Sequence, residues 1–387
     1  MSHFWQGIGA ALTSKDFSLF YAGAFLLMLV LAFWFADRIK KLRKPSELAA
    51  SFSMFRFAQN PILGPIVGSS WQNEAVFNPA AVVEGGLVHL FYRALGSDGV
   101  SRIGYASSKD GYHFDRAPEP VFVPAVTNRP YGNPFARYNR DKHASGGGWA
   151  GAEDPRAVRI GNRVYVSFSL FESWSSIRMG ITSIAKGDLL AGKWKWARHL
   201  TISPAGETNK NWVLFPEKIR GKFAIIHALT PNMMIEYVDT LEELEQKPIK
   251  SNNRRSGRTG KWDTFIRGVA APPIRTRLGW LLFYHAMDAA EPHIGYKVGA
   301  MILDAENPEK ILYRSAGPVL SPIMPYENDW KPGVVYASGA VVKDGTLFLY
   351  YGGGDKTVCV ASAPLDTFLK RLSSREHIEL SPASASL

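Results

Sequence analysis

Residues 78–94 read NPAAVVEGGLVHLFYRA, and their pattern decides the fold. A short apolar run, a Gly-Gly turn and a second run rich in aromatic and β-branched residues form a hairpin signature. A third strand-like run, SRIGYASSKDGYHF (101–114), follows. The theme then returns four times. EDPRAVRIGNRVYVSFSLF (153–171) leads into SIRMGITSIA (176–185), and LFPEKIRGKFAIIHALT (214–230) into MMIEYVDT (233–240). AAPPIRTRLGWLLFYHAMD (270–288) leads into HIGYKVGAMILD (293–304), and GAVVKDGTLFLYYGGGD (339–355) into TVCVASAPLD (357–366). Each copy carries a turn of the type GG, GN, RG, LG or DG between its strands. One such unit cannot bury both faces of its sheet, and radial repetition around an axis solves that problem. Five copies, at a spacing of roughly 55 to 75 residues, predict an all-β domain: a five-bladed β-propeller over residues 71–370.

Composition agrees with a large core. The 387-residue chain is 46% hydrophobic and 20% charged, which is not a disordered composition. A single cysteine, Cys359, excludes an internal disulfide framework and a cysteine zinc cluster. It lies in the apolar run VCVA and reads as a small buried thiol. The formal charge of +11 suits an anionic substrate, phosphate or an anionic membrane surface. No nucleic-acid motif accompanies it.

A second feature precedes the repeats. Residues 17–36, FSLFYAGAFLLMLVLAFWFA, form a run of 20 without a charge. At about 1.5 Å per residue it spans roughly 30 Å, the thickness of a bilayer core. Phe17, Tyr21, Trp34 and Phe35 sit near its ends, as interfacial aromatics do. No basic segment precedes it and no small-residue cleavage site follows, so it reads as a transmembrane helix rather than a signal peptide. Arg38, Lys40, Lys41, Arg43 and Lys44 flank it on one side only, which places the C-terminal domain in the cytoplasm. The expected organisation is a tail (1–16), a membrane helix (17–36), a basic flank and linker (37–70), the propeller (71–370) and a C-terminal tail (371–387). Residues 125–150 and 250–261 read as variable loops.

Polar residues open the first strand of several copies: Asn78 in the first, Glu153-Asp154-Pro155-Arg156 in the second, Pro216-Glu217-Lys218 in the third. In a propeller such positions converge on the axis at one face. The plainer reading of EDPR is structural, an acid capping a turn and an arginine pairing with an acid. Its place after the glycine-rich approach SGGGWAGAEDPR (145–156) favours chemistry. A partly desolvated Asp154 can hold a raised pKa and act as general acid on a glycosidic oxygen. Glycoside hydrolysis needs a second carboxylate, for which Asp288 and Asp355 are candidates. Attack by inorganic phosphate needs cations instead, and Arg178, Lys210, His227 and His285 are candidates. Arg178 and Lys210 also read as solvated surface charges, and His285, inside LLFYHAM, as a core histidine.

Taken together, NPAAV, SRIGYASSKDGYHFDR, GAEDPR, KNWVLFPEKIRGKF, APPIRTRLGWLLFYHAMD, YKVGAMILD and GAVVKDGTLFLYYGGGD resemble the β-mannoside phosphorylases and hydrolases of glycoside hydrolase family 130. The resemblance covers about residues 60–370 in family order. It implies a five-bladed propeller and inverting phosphorolysis of a β-mannoside to mannose 1-phosphate, or inverting hydrolysis in the phosphate-independent members. By the same resemblance Asp154 is the catalytic acid, acting through a hydroxyl of the mannosyl unit. Arg178, Lys210 and His227 would hold phosphate, with His285 nearby. Asn78, Arg93 and Asp355 would bind sugar hydroxyls, and Arg156, His285, Asp288 and Tyr336 are further substrate candidates. No metal or organic cofactor is implied; inorganic phosphate is the co-substrate. The chain departs from the family pattern at Ala228, Ala286 and Tyr336-Ala337-Ser338-Gly339-Ala340, changes that bear on phosphate use rather than on fold. The expected partners are an oligosaccharide or glycoside, the membrane and polysaccharide-building machinery. The competing readings are a hydrolase, a glycosyltransferase and a non-catalytic propeller scaffold.

Overall fold

The computed structural model describes residues 54–124, 150–173, 175–252, 256–290 and 295–374, together with Leu27, Met28 and Leu31. The chain divides into two units, Met1–Ser51 and Phe52–Leu387. Apart from those three helical positions, the run at 17–36 lies outside the described residues. So do the basic flank 37–44, the loop 125–149 and residues 375–387. Among the described residues no helix is long and apolar enough to cross a membrane.

Among the described residues the second unit is built of five antiparallel blades in chain order, the first two joined in one eight-stranded sheet. The first blade runs Ala75–Glu84, Leu87–Leu95, Val100–Ser108 and Asp115–Arg116; the second runs Ala150–Ile160, Arg163–Ser173, Ser176–Ala185 and Leu200–Thr201. A two-residue parallel contact, Val100 with Ala150 and Ser101 with Gly151, links them. The third has three strands, Val213–Leu214, Phe223–Ala228 and Met234–Val238. In the fourth, Phe265–Val269 and Ile274–Thr276 both pair with Gly279–Met287, followed by Lys297–Leu303 and Ile311–Arg314. The fifth comprises Val335–Lys343, Thr346–Gly353 and Thr357–Pro364, with Phe55–Arg56 as its outer strand. The hairpins follow from their turns. Gly85-Gly86, Arg220-Gly221 and Asp344-Gly345 take positive φ at both positions, the mirror-image turn whose twist matches that of the strands.

Five apolar clusters lie between successive blades. Phe91 and Ile103 meet Val166 and Phe168 between the first and second. Met179 and Ile181 meet Trp212 and Leu214 between the second and third. Phe215 and Ile226 meet Trp280 and Leu282 between the third and fourth. Phe283 and Val298 meet Leu347 and Tyr351 between the fourth and fifth. Phe348 and Tyr350 meet Leu90 and Tyr92 between the fifth and first. The last of these closes the ring, so the blades radiate from one axis as a five-bladed propeller. Strand alternation does the sorting: Leu90 and Tyr92 face one neighbour and Phe91 the other. In three blades the middle strand sets an aromatic ring against a glycine of the next strand: Tyr92 against Gly104, Phe168 against Gly180 and Tyr284 against Gly299. A Cβ on any of these glycines would lie 2.2–2.6 Å from ring atoms.

Two expected boundaries need correction. Residues 54–70 are not a linker. Phe55–Arg56 pairs with Ala361–Ser362, and Leu63 bridges Val358, because the open edge of the last blade takes its final strand from the N-terminal side. Arg56 fastens the closure, its Nε donating to Glu327 Oε1 at 2.7 Å and its Nη2 to Oε2 at 3.1 Å. The C-terminal boundary also moves, since helix Leu365–Ser374 buries Phe368, Leu369 and Leu372 against the fourth and fifth blades.

Candidate functional site

The innermost strands of four blades each break register once, between Phe77 and Ala80, Glu153 and Arg156, Ile266 and Gly268, and Ala337 and Gly339. A bulge bends its strand and re-aims the side chain at the break. The breaks hold Asn78, Asp154, Arg267 and Ser338, the first three of which line a cavity of about 370 Å³ at the axis. The backbone is left-handed at Asn78 (φ 48°), Asp154 (47°), Asn211 (67°) and Asp355 (54°), all four of them cavity residues. Asn and Asp tolerate this region better than other side-chain-bearing residues. The other two such residues among those described, Arg220 and Asp344, sit in hairpin turns.

All five blades contribute. Phe77, Asn78 and Arg93 come from the first and Asp154 and Ile177 from the second. Lys210, Asn211, Trp212 and His227 belong to the third, Arg267 and Tyr296 to the fourth, and Tyr336 and Asp355 to the fifth. At the centre, Asp154 Oδ1 accepts from Asn78 Nδ2 at 2.8 Å and from Arg93 Nη1 at 3.1 Å. Arg93 Nη2 donates to Glu153 Oε1 at 2.9 Å, and Lys210 Nζ donates to Glu153 Oε2 at 3.3 Å. Across the cavity Lys331 Nζ lies 3.0 Å from Asp355 Oδ2. Tyr336 donates its hydroxyl proton to Asn211 Oδ1 and receives Arg156 Nη2 at 3.1 Å. Arg267 stacks its guanidinium 4.9 Å above the Tyr296 ring. Four cations (Arg93, Lys210, Arg267, Lys331) thus face three carboxylates (Asp154, Glu207, Asp355).

The electrostatics correct one expectation. Burial raises the pKa of Asp154, but Arg93, Lys210, the Asn78 amide and Arg156 outweigh it and hold the carboxyl near 2. Among these neighbours Asp154 is therefore ionised rather than poised as an acid. His227 departs from expectation too. Burial pushes its pKa down to about 4, so it faces the cavity neutral and acts as a hydrogen-bonding group, not a cation. Its ring packs edge-on against Trp212 at 5.6 Å, and its Nδ1 is buried without a partner.

Of the expected residues, Asn78, Arg93, Asp154, Lys210, His227, Tyr336 and Asp355 line one cavity. Four do not. Arg156 lies behind the wall, with Nε on the Ala270 carbonyl (2.9 Å), Nη1 on the Asp154 carbonyl (2.8 Å) and Nη2 on Asn211 Oδ1 (2.9 Å). Its donors are committed, so it sets the wall rather than meeting a ligand. His285 is fully buried behind Tyr336, stacked at 4.2 Å, with a pKa driven by burial to about 3. Arg178 donates to the Ser203 carbonyl at 3.1 Å and lies near Glu172; strand alternation turns Ile177, not Arg178, to the cavity. Asp288 caps a turn, accepting from Thr264 Oγ1 (3.1 Å) and the Ala290 amide (3.0 Å). Conversely Asn211, Arg267 and Lys331 were not expected, and Glu153 was noted within EDPR without a role of its own. A proline inside a strand is tolerated only at an edge or a bulge, so Asn78-Pro79 and Asp154-Pro155 signal two of the breaks. Nothing comparable marks Lys331.

Comparison with known proteins gives a consistent picture. The family model described as beta-1,4-mannooligosaccharide phosphorylase, of glycoside hydrolase family 130, matches residues 55–374. A 1,2-beta-oligomannan phosphorylase of Thermoanaerobacter sp. (strain X514) is 34% identical over 79% of this chain and 95% of its own length. A beta-1,2-mannobiose phosphorylase of the same organism is 32% identical over 80% and 97%. Among solved structures, the beta-1,2-mannobiose phosphorylase from Listeria innocua in complex with beta-1,2-mannobiose superposes with a TM-score of 0.63 at 22% identity, covering 83% of this chain and 99% of that one.

Proposed function

Because the chain belongs to glycoside hydrolase family 130, we infer that it is a glycoside phosphorylase that splits β-mannosides with inorganic phosphate. One observation carries the site assignment: the axial carboxylate Asp154 shares its cavity with Lys210, Arg267 and His227. In the proposed reaction these three groups hold phosphate on one face of the mannosyl ring. A phosphate oxygen bonds to the anomeric carbon as the glycosidic C–O bond breaks on the opposite face. The proton needed by the leaving oxygen comes from Asp154 through a mannosyl hydroxyl, and the product is α-mannose 1-phosphate. Asp154 must therefore gain a proton when the site fills. Phosphate supplies the means, since its negative charge offsets the cations that keep Asp154 ionised. Asn78, Tyr336 and the Asp355–Lys331 pair are assigned to sugar hydroxyls, and Trp212 and Tyr296 to its apolar faces.

The preferred linkage is proposed to be β-1,2, supported by the two Thermoanaerobacter relatives at 34% and 32% identity, a 1,2-beta-oligomannan phosphorylase and a beta-1,2-mannobiose phosphorylase. The test is incubation with β-1,2-mannobiose, with and without phosphate, followed by phosphorus NMR. Mannose 1-phosphate formed only with phosphate, and not by Asp154→Asn, supports the reading. Free mannose released at the same rate without phosphate replaces it with hydrolysis.

The run 17–36 is offered as a single membrane span with the catalytic unit on the cytoplasmic side, beside machinery that builds or trims polysaccharide. Its support is the uncharged length and the basic flank that follows. Membrane fractionation, with release by detergent but not by salt, tests it.

A further inference from the structure

Adjacent residues on a strand normally point to opposite faces. Glu153 and Asp154 do not behave that way. The break in register between Glu153 and Arg156, with Asp154 left-handed, brings both carboxylates onto one guanidinium. Arg93 Nη1 takes Asp154 and Nη2 takes Glu153, while its Nε donates to Ser101 Oγ at 3.0 Å. All three Arg93 nitrogens are thus committed. Lys210 is held differently. Its one contact to Glu153 is longer, at 3.3 Å, and its side chain is 31% exposed toward the cavity, whereas that of Glu153 is 0% exposed. Glu153 is absent from the cavity lining, and both Arg93 and Lys210, which do line it, hold its carboxylate.

We propose that Glu153 is a positioning residue that aims Lys210 at phosphate from behind, and that its charge deliberately weakens phosphate binding in exchange for an acid that can be protonated. The proposal rests on the reading that this site takes phosphate. Within this cluster the two cations Arg93 and Lys210 balance the two carboxylates Asp154 and Glu153. An arriving phosphate shares Lys210 with Glu153, so the negative charge of Glu153 opposes it. The same charge opposes ionisation of Asp154, and drawing Lys210 and Arg93 toward itself keeps them from closing fully on that carboxyl. The other charged or titratable groups around Asp154 are Arg156 on its own strand, His285 on the fourth blade and Tyr336 on the fifth, with Asp355 facing Arg93. None of them touches both Lys210 and Arg93 in the way Glu153 does.

The experiment is phosphate binding by calorimetry and the pH profile of phosphorolysis, on the full chain and its Glu153→Gln variant. Expected is phosphate binding tightened about tenfold and the alkaline limb of kcat moved to lower pH by about one unit. The tighter binding is expected to vanish in a Lys210→Met background. Glu153→Asp keeps the charge but shortens its reach; it is expected to tighten phosphate less and to leave the limb in place. If Glu153→Gln does not fold, Glu153→Asp carries the test, and weaker phosphate binding by it overturns the proposal. Phosphate bound by the wild type with unchanged affinity and pH limb in Glu153→Gln overturns the role of Glu153 alone. No phosphate binding by the wild type overturns the phosphate reading and this proposal together.

Discussion

The Asp154 carboxyl sits where burial and neighbouring charge oppose each other. Burial favours its neutral form, while Arg93, Lys210 and Arg156 favour the anion and prevail. Replacing it by Asn keeps the shape and the Asn78 contact but removes the proton donor. Turnover of Asp154→Asn is expected to fall by about 10²- to 10⁴-fold, with phosphate still bound, as read by product formation and calorimetry. At this scale the sequence was a partial guide. Asp154, Asn78 and Asp355 were legible because each opens or ends a repeated strand and tolerates a left-handed backbone. Arg178 and Asp288 were misplaced, because the side a strand residue faces depends on register. One step along the strand exchanges Arg178 for Ile177. Arg267 was missed because its orientation depends on a bulge that only the paired strand reveals.

The blades were legible as elements because each hairpin carries its own turn chemistry. The aromatic–glycine pairs were in plain view in GYAS, GITS and GAMI, yet their meaning appears only when the strands pair. Gly180→Ala is expected to cost about 1–3 kcal/mol by crowding Phe168, and a Phe168→Leu background should recover part of it; thermal melts decide this. The strand Phe55–Arg56 was the element least visible in advance. Two residues have no periodicity, and their partner lies at the far end of the chain. Its consequences reach the cavity. Glu327, which receives Arg56, also accepts from the Tyr351 hydroxyl (2.8 Å) and from the Ile323 and Met324 amides (2.8 and 2.9 Å), and its carbonyl takes the Val334 amide. The segment so fixed presents Lys331 and Val334 to the cavity. Arg56→Ala leaves a buried carboxylate without its cation, a loss worth roughly 3–5 kcal/mol. It is expected to lower the melting temperature and raise KM for the saccharide more than for phosphate, in parallel titrations of the two substrates.

Over the whole molecule, several histidines are kept neutral by burial. His227 and His285 lie near 4 and 3, and His89 is lowered too. Their folded values fall below the ordinary 6.5, so the unfolded chain binds protons that the folded one refuses. Stability from this source is complete above about pH 6.5 and declines below it, by roughly 1.4 kcal/mol per pH unit for each of His227 and His285, as pH falls toward their folded values. Asp154 adds a second loss only below about pH 4, as pH falls toward 2. The urea midpoint is expected to be lower at pH 5 than at pH 7.5, and His285→Phe to narrow that gap.

The ring is closed by pairing Arg56 with Ala361. The two partners leave the ribosome some 300 residues apart, which at about 5–20 residues per second is roughly 15 to 60 s. For that interval four blades have been made, while the strand that must complete the fifth waits with its hydrogen-bonding edge unsatisfied. Newly made chains are therefore most exposed to strand-exchange with one another during synthesis, and slowing translation near the C-terminus lengthens the hazard.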